Sequence, residues 1–151
     1  SRSYAVILQE ITGERCLPVI VGSFEAQSIA LAIEVVDTPR PLTHDLICDM
    51  ITGINGVLKT VKINNLSDGV FYAKMELETL EIGQKTIDAR PSDSIAIALQ
   101  QQCPIFVSPH VWEKAEDMTW ALEQSKEESG SGGQEEGEGD DGGLDFLDES
   151  L

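Results

Sequence analysis

Two short segments concentrate the side chains that could do chemistry. One is Arg40-Pro41-Leu42-Thr43-His44-Asp45 and the other is Asp88-Ala89-Arg90-Pro91-Ser92-Asp93. Each sets Arg-Pro ahead of a hydroxyl and an Asp, and each lies where the chain turns into a helix. Prolines fix the geometry there, and a helix start supplies free N–H groups and a positive dipole end. Glu25 stands at the corresponding place before a third helical stretch. Were these segments to meet, two arginines, three carboxylates and one imidazole would share a cleft. Carboxylates can hold Mg²⁺ or Mn²⁺, and the metal lowers the pKa of a bound water. Arginine grips phosphate oxygens bidentately. The spacing therefore nominates Glu25, Asp45, Asp88 and Asp93 as ligands or bases, with Asp88, Asp93 and Glu25 as the metal set. Arg40, Arg90, Thr43 and Ser92 are the phosphate-binding candidates, and His44 is a proton shuttle.

The same residues have a purely structural reading. Arg40 can pair with Asp45 or with a repeat-related acid, while Asp88, Arg90 and Asp93 can form a local ion-pair network. Thr43 and Ser92 can be ordinary helix caps. Other chemistries leave no trace in residues 1–122: they hold no HExxH, DxD or zinc-spaced Cys pair, and no GxGxxG, GxxxxGK[ST] or GxSxG.

The elements that must position these residues follow a repeat. Tyr4-Ala5 and Tyr72-Ala73 each open an alternating apolar run, a turn, a second extended run and an Ala-rich helix. Ser28-Ile29-Ala30-x-Ala32 matches Ser94-Ile95-Ala96-x-Ala98, so a duplicated strand–strand–helix unit is predicted within one domain. The first helix, Phe24 to Val36 with Ser23 as its cap, is apolar on nearly every face and is expected to be buried on several sides. A second helix is predicted from Thr43, with Asp45 complementing its dipole. Val57 to Asn65 alternates as a strand, which would put Lys59 and Lys62 on opposite faces. Ser67-Asp68-Gly69 signals a turn, Phe71 to Leu77 a half-buried strand, Lys85 to Ala89 its partner, and Pro104 to Val107 a short strand. A last helix opens at Ser108-Pro109 and carries Trp112 and Trp120 as core or interface aromatics.

The 151 residues hold enough apolar content, 41%, for a core, but no run long enough to span a membrane. No secretory signal opens the chain, and Cys16, Cys48 and Cys103 sit in apolar runs without metal spacing, which together suggest buried, reduced thiols in a cytoplasmic protein. The chain does not begin with Met, so a further N-terminal segment is expected. Residues 1–122 carry 9 Lys and Arg against 16 Asp and Glu, a net −7, and residues 123–151 carry 1 against 11, a net −10. Nothing resembles a basic nucleic-acid footprint. We expect a folded unit over 1–124 and an acidic, Gly-rich disordered tail over 125–151. The tail's closing stretch, Leu144-Asp145-Phe146-Leu147-Asp148-Glu149-Ser150-Leu151, is a candidate docking motif for a protein partner.

From about Leu17 to Ala115 the chain resembles the bifunctional nuclease family. The resemblance rests on Leu17-Pro18-Val19-Ile20-Val21-Gly22, on Phe24-Glu25-Ala26-Gln27-Ser28-Ile29-Ala30, and on Arg40-Pro41-Leu42-Thr43-His44-Asp45-Leu46. It continues through Phe71-Tyr72-Ala73 and Ile87-Asp88-Ala89-Arg90-Pro91-Ser92-Asp93-Ser94-Ile95-Ala96. It implies an α+β fold in which antiparallel strands curl into a wide, duplicated, barrel-like sheet with packed helices, and one more strand before Tyr4. It also implies DNase and RNase activity. An enzyme that cuts both polymers cannot use the 2′-OH as nucleophile, which points to a metal-activated water. Two functions are thus expected to compete. One is a metal-assisted phosphodiesterase acting on RNA or DNA. The other is a non-enzymatic homo-oligomeric binding module, joined through Trp112 or Trp120.

Overall fold

The computed structural model describes residues 3–117. The element order is β1 (Tyr4–Gln9), β2 (Cys16–Val21), α1 (Ser23–Glu34), α2 (Thr43–Gly53), β3 (Gly56–Ser67), β4 (Val70–Thr79), β5 (Gly83–Ala89), α3 (Pro91–Gln101) and β6 (Ile105–Val107). A last helix, α4, covers 109–117. The strand–strand–helix order occurs twice, as β1-β2-α1 and β4-β5-α3, with α2 and β3 between. The fold is mixed α+β.

The strands form two open sheets. β1 and β2 make an antiparallel hairpin, and the larger sheet runs β5-β4-β3-β6. β6 lies parallel to β3, so the second sheet is mixed rather than wholly antiparallel. Among the described residues neither sheet closes into a barrel. β1 and β6 line the same apolar cavity of about 380 Å³, floored by Ile29, Ile95 and Trp112, and no described strand bridges them.

The β3–β4 turn is tight because Asp68 and Gly69 both take positive φ, 52° and 77°, as a type I′ hairpin requires. A register shift between Leu58 and Thr60 breaks the simple alternation of β3. Leu58 and Val61 therefore both face the core, and Val57 turns outward at 52% exposure. The bulge also puts Lys59 and Lys62 on one face, where they pair with Glu78 at 3.5 Å and Glu76 at 3.0 Å. The expectation of opposite faces fails because it allowed no extra residue in the strand.

α3 is the buried helix. Its Ile95 and Ala96 join a core with β1, β2 and α1, while Ile97 and Ala98 join a second core with α2, β3 and β4. The sequence pointed instead to α1, but α1 buries only Ala26, Ser28 and Ile29, and Phe24 is 82% exposed. α1 packs on α3 and β1 and meets α2 through Ser28, while Phe24, Gln27 and Glu34 stay exposed. Cys48 and Cys103 are buried and reduced, and burial pushes the Cys103 thiol up to about 11. Cys16, at the start of β2, is exposed, contrary to expectation.

Trp112 belongs to the core at 8% exposure, with the Arg15 guanidinium 4.7 Å above its ring, so it is no interface residue. Trp120 and the acidic tail lie outside the described residues. No described helix is long and apolar enough to cross a membrane.

Candidate functional site at the junction of three helices

Each of the first three helices carries a carboxylate at its third residue: Glu25 in α1, Asp45 in α2 and Asp93 in α3. A negative charge in the first turn is favoured by the helix dipole and by free N–H groups. The three acids nevertheless do different work.

Asp93 and Glu25 converge on one arginine. Arg90, the residue capping α3, donates from Nε to Asp93 Oδ2 at 2.8 Å and from Nη2 to Asp93 Oδ1 at 3.2 Å. Its Nη2 also reaches Glu25 Oε1 at 2.9 Å, joining the starts of α1 and α3. Gly22 leaves room for this, since a Cβ there would stand 2.6 Å from Glu25 Oε2. The Arg90 side chain stays 67% exposed, whereas that of Glu25 is 16% exposed.

His44 enters from α2. The buried imidazole sits between Ser28 Oγ, 2.8 Å from Nδ1, and Asp93 Oδ1, 3.0 Å from Nε2. A neutral ring satisfies both contacts when Ser28 O–H donates to Nδ1 and Nε2–H donates to Asp93; this tautomer is assigned from the partners. Burial alone would raise the Asp93 carboxyl, but Arg90 and His44 outweigh it and hold it below the usual aspartate range. The same carboxylates, Asp93 first and then Glu25, raise the Arg90 guanidinium further.

Glu25, His44, Arg90 and Asp93 are thus brought together, and Ser28 joins them although spacing did not nominate it. Its signal was a hydroxyl on the face that the Ala and Ile of α1 bury. Gln100 was also missed. It donates to Asp45 Oδ1 at 2.6 Å and accepts from Cys48 Sγ at 3.0 Å. Asp45 Oδ2 accepts the Leu42 N–H at 2.8 Å, so Asp45 caps its own helix and does not meet Arg90.

The remaining candidates stand apart. Thr43 is exposed and is not the cap of α2, a place taken by Leu42. Arg40 is exposed and forms no ion pair among the described residues. The two Arg-Pro segments differ in spacing: Arg90 precedes its acid by three residues and Arg40 by five. The extra residues carry Arg40 off the helix start. Asp88 is 67% exposed on β5 and pairs with Lys74 on β4 at 3.3 Å. Ser92 is buried in the first turn of α3 without capping it.

This placement does not fit the expected metal set. Glu25 and Asp93 face each other across the Arg90 guanidinium, and Asp88 is tied to the sheet. Among the described residues no three His, Cys, Asp or Glu gather to hold an ion. The cation at this junction is an arginine.

Against known families, residues 6–119 match the bifunctional nuclease domain. An uncharacterized protein of Mycobacterium tuberculosis is 44% identical over 110 residues, covering 73% of this chain and 65% of that protein. Bifunctional nuclease 2 of Oryza sativa subsp. japonica is 32% identical over 108 residues, covering 68% of this chain and 33% of its own length. Bifunctional nuclease 1 of Oryza sativa subsp. indica is 25% identical over 111 residues, or 72% and 34%. The chain thus spans about two thirds of the mycobacterial relative and about a third of the rice proteins.

Proposed function

The chain belongs to the bifunctional nuclease family, and from that premise we propose that it hydrolyses phosphodiester bonds of RNA or DNA at the three-helix junction. The observation that carries the reading is the convergence of Glu25, His44, Arg90 and Asp93 from both repeat copies and the helix between them. Arg90 spends Nε and Nη2 on the two carboxylates. Its Nη1, on a side chain that is 67% exposed, makes no hydrogen bond among the described residues and can donate to a phosphate oxygen as charge develops there. Glu25, held by Arg90 through one oxygen only, is the candidate to orient and deprotonate a water. Asp93 fixes the guanidinium, and buried His44 fixes Asp93. In this reading His44, expected from its sequence as a proton shuttle, is a positioning residue.

The test follows cleavage of labelled single-stranded RNA and DNA by the wild type, Glu25→Gln, Arg90→Gln and Asp88→Ala, each with chelator and with added Mg²⁺ or Mn²⁺. The reading expects cleavage by the wild type and Asp88→Ala, with strong loss in the other two. Equal rates in Arg90→Gln, or none in the wild type above a mock purification, would overturn it. The metal arm decides whether an ion assists. Among the described residues the acids gather no site for one, so stimulation would favour an ion arriving with the substrate phosphate.

A further inference from the structure

Beside the junction lies a second cavity, of about 410 Å³, between the end of β2, the β3–β4 hairpin and the start of α3. That size falls within the roughly 300–1,000 Å³ of small-ligand pockets. Its walls are mainly apolar: Val19, Ile20 and Val21 of β2, with Val70 and the half-buried ring of Phe71. Arg90 stands among the lining residues, so the cavity is continuous with the proposed catalytic junction. Ser92 lines it too. That residue is 7% exposed, and its hydroxyl has no hydrogen-bond partner among the described residues. Among those residues Asn64 Oδ1 is the one partnerless side-chain atom sealed from solvent. The Ser92 oxygen, partnerless as well, is therefore not fully sealed, and Ser92 is one of the residues that line the cavity.

We infer that this cavity seats an unstacked nucleobase next to the phosphate held by Arg90, which makes single-stranded nucleic acid the substrate class. The inference rests on the nuclease reading. Charge selects a base over a second phosphate. Arg90 is already matched by two carboxylates, so the junction carries a net negative charge, and residues 1–122 total −7. Phosphate contacts dominate affinity in most nucleic-acid binders, and here they are too few. A neutral ring placed in an apolar slot against Phe71 supplies affinity without that requirement, and base stacking of this kind tolerates every sequence. Ser92 O–H can donate to a base carbonyl or accept from a ring amino group, so it orients the base without selecting one. Bases in a duplex are stacked and paired and cannot enter.

The test uses nucleosides, which have no phosphodiester, beside ribose 5-phosphate, followed by amide NMR shifts on the full chain. Adenosine and uridine are expected to shift Val21, Val70 and Phe71, whereas ribose 5-phosphate shifts Arg90 but not these three. Val70→Trp fills the cavity from its exposed rim and should abolish the nucleoside shifts while raising KM for single strands about tenfold. Ile20→Trp, from the opposite wall, repeats the test should Val70→Trp fold poorly. Nucleosides that leave the cavity unshifted, undiminished binding by the filled variants, or duplex cleaved as fast as single strand would each overturn the base site. Nucleoside binding without hydrolysis would support the site and remove the nuclease reading. Hydrolysis without nucleoside binding would do the reverse.

Discussion

The starts of α1 and α3 repeat one pattern and end in different roles. Both helices follow a hairpin strand and carry an acid at the third residue, Glu25 in one and Asp93 in the other. Both contain a buried serine in the matching Ser-Ile-Ala motif. Yet the residue before α1 is Gly22 and the residue before α3 is Arg90. Two negative helix starts pack side by side around a single cation supplied by the second copy. The serines diverge as well. Ser94 Oγ donates to the Pro91 carbonyl of its own helix at 3.0 Å, whereas Ser28 Oγ reaches His44 on α2. Duplication supplied the symmetric scaffold, and the positions where the copies differ make the site.

Removing the shared cation should break this arrangement most severely. Arg90→Gln leaves Glu25 and Asp93 facing each other without a counter-charge. Initial rates of strand cleavage are expected to fall about 100-fold, the usual cost of losing a donor aimed at developing charge. Urea unfolding should show a loss of about 2 kcal/mol, typical of hydrogen bonds to charged groups.

Acid should reach the same link from the other side. The Asp93 carboxyl lies below its ordinary range in the folded state, so its contribution is present above the unfolded aspartate pKa and is lost as pH falls through the folded value. Stability measured by urea titration should therefore fall as pH drops from the ordinary aspartate range downward. Asp93→Asn should flatten that slope, and an unchanged slope would show that the link contributes nothing.

The serine pair gives a sharper contrast. Ser28→Ala strands a buried imidazole nitrogen and is expected to cost about 1–2 kcal/mol. Ser94→Ala removes only a bond back to its own helix and should stay within about 0.5 kcal/mol, since such bonds add little to a helix. Equal losses in chemical denaturation would dissolve the distinction between the copies.

The smallest effects belong to the candidates that stand apart. Arg40→Ala and Asp88→Ala should each change stability by less than about 0.5 kcal/mol, as exposed charges with loose or no partners do. Cleavage rates should stay within about twofold of wild type. A large loss in either variant would mean that the site extends beyond the helix junction.

Much of this molecule was legible in one dimension. Alternation and turn signals depend on near neighbours, so the hairpins, α2, α3 and the Asp68-Gly69 turn could be read directly. The first-turn acids were legible for the same reason, whereas the expected caps Ser23 and Thr43 each fell one residue inside the helix they were to cap. Other features were not. The bulge after Leu58 inverts the outward face of β3, and nothing in an alternating run marks an extra residue. The apolar circumference of α1 suggested deep burial, but its amount depends on which elements lie over it. Arg40 and Arg90 look equivalent in their Arg-Pro dipeptides. They differ by two residues in distance from their acids, enough to place one at a helix start and the other in solvent.

The sequence by itself determined the family, the repeated unit and the residue types at each helix start, because those follow from local pattern and motif order. Only the tertiary structure decided which of them meet. Packing α1 and α2 against α3 joins residues as far apart in sequence as Glu25 and Arg90, and it leaves Asp88 on the sheet and Asp45 at its own cap. Hydrogen bonds and ion pairs act over a few ångströms of space, and distance along the chain does not measure that separation.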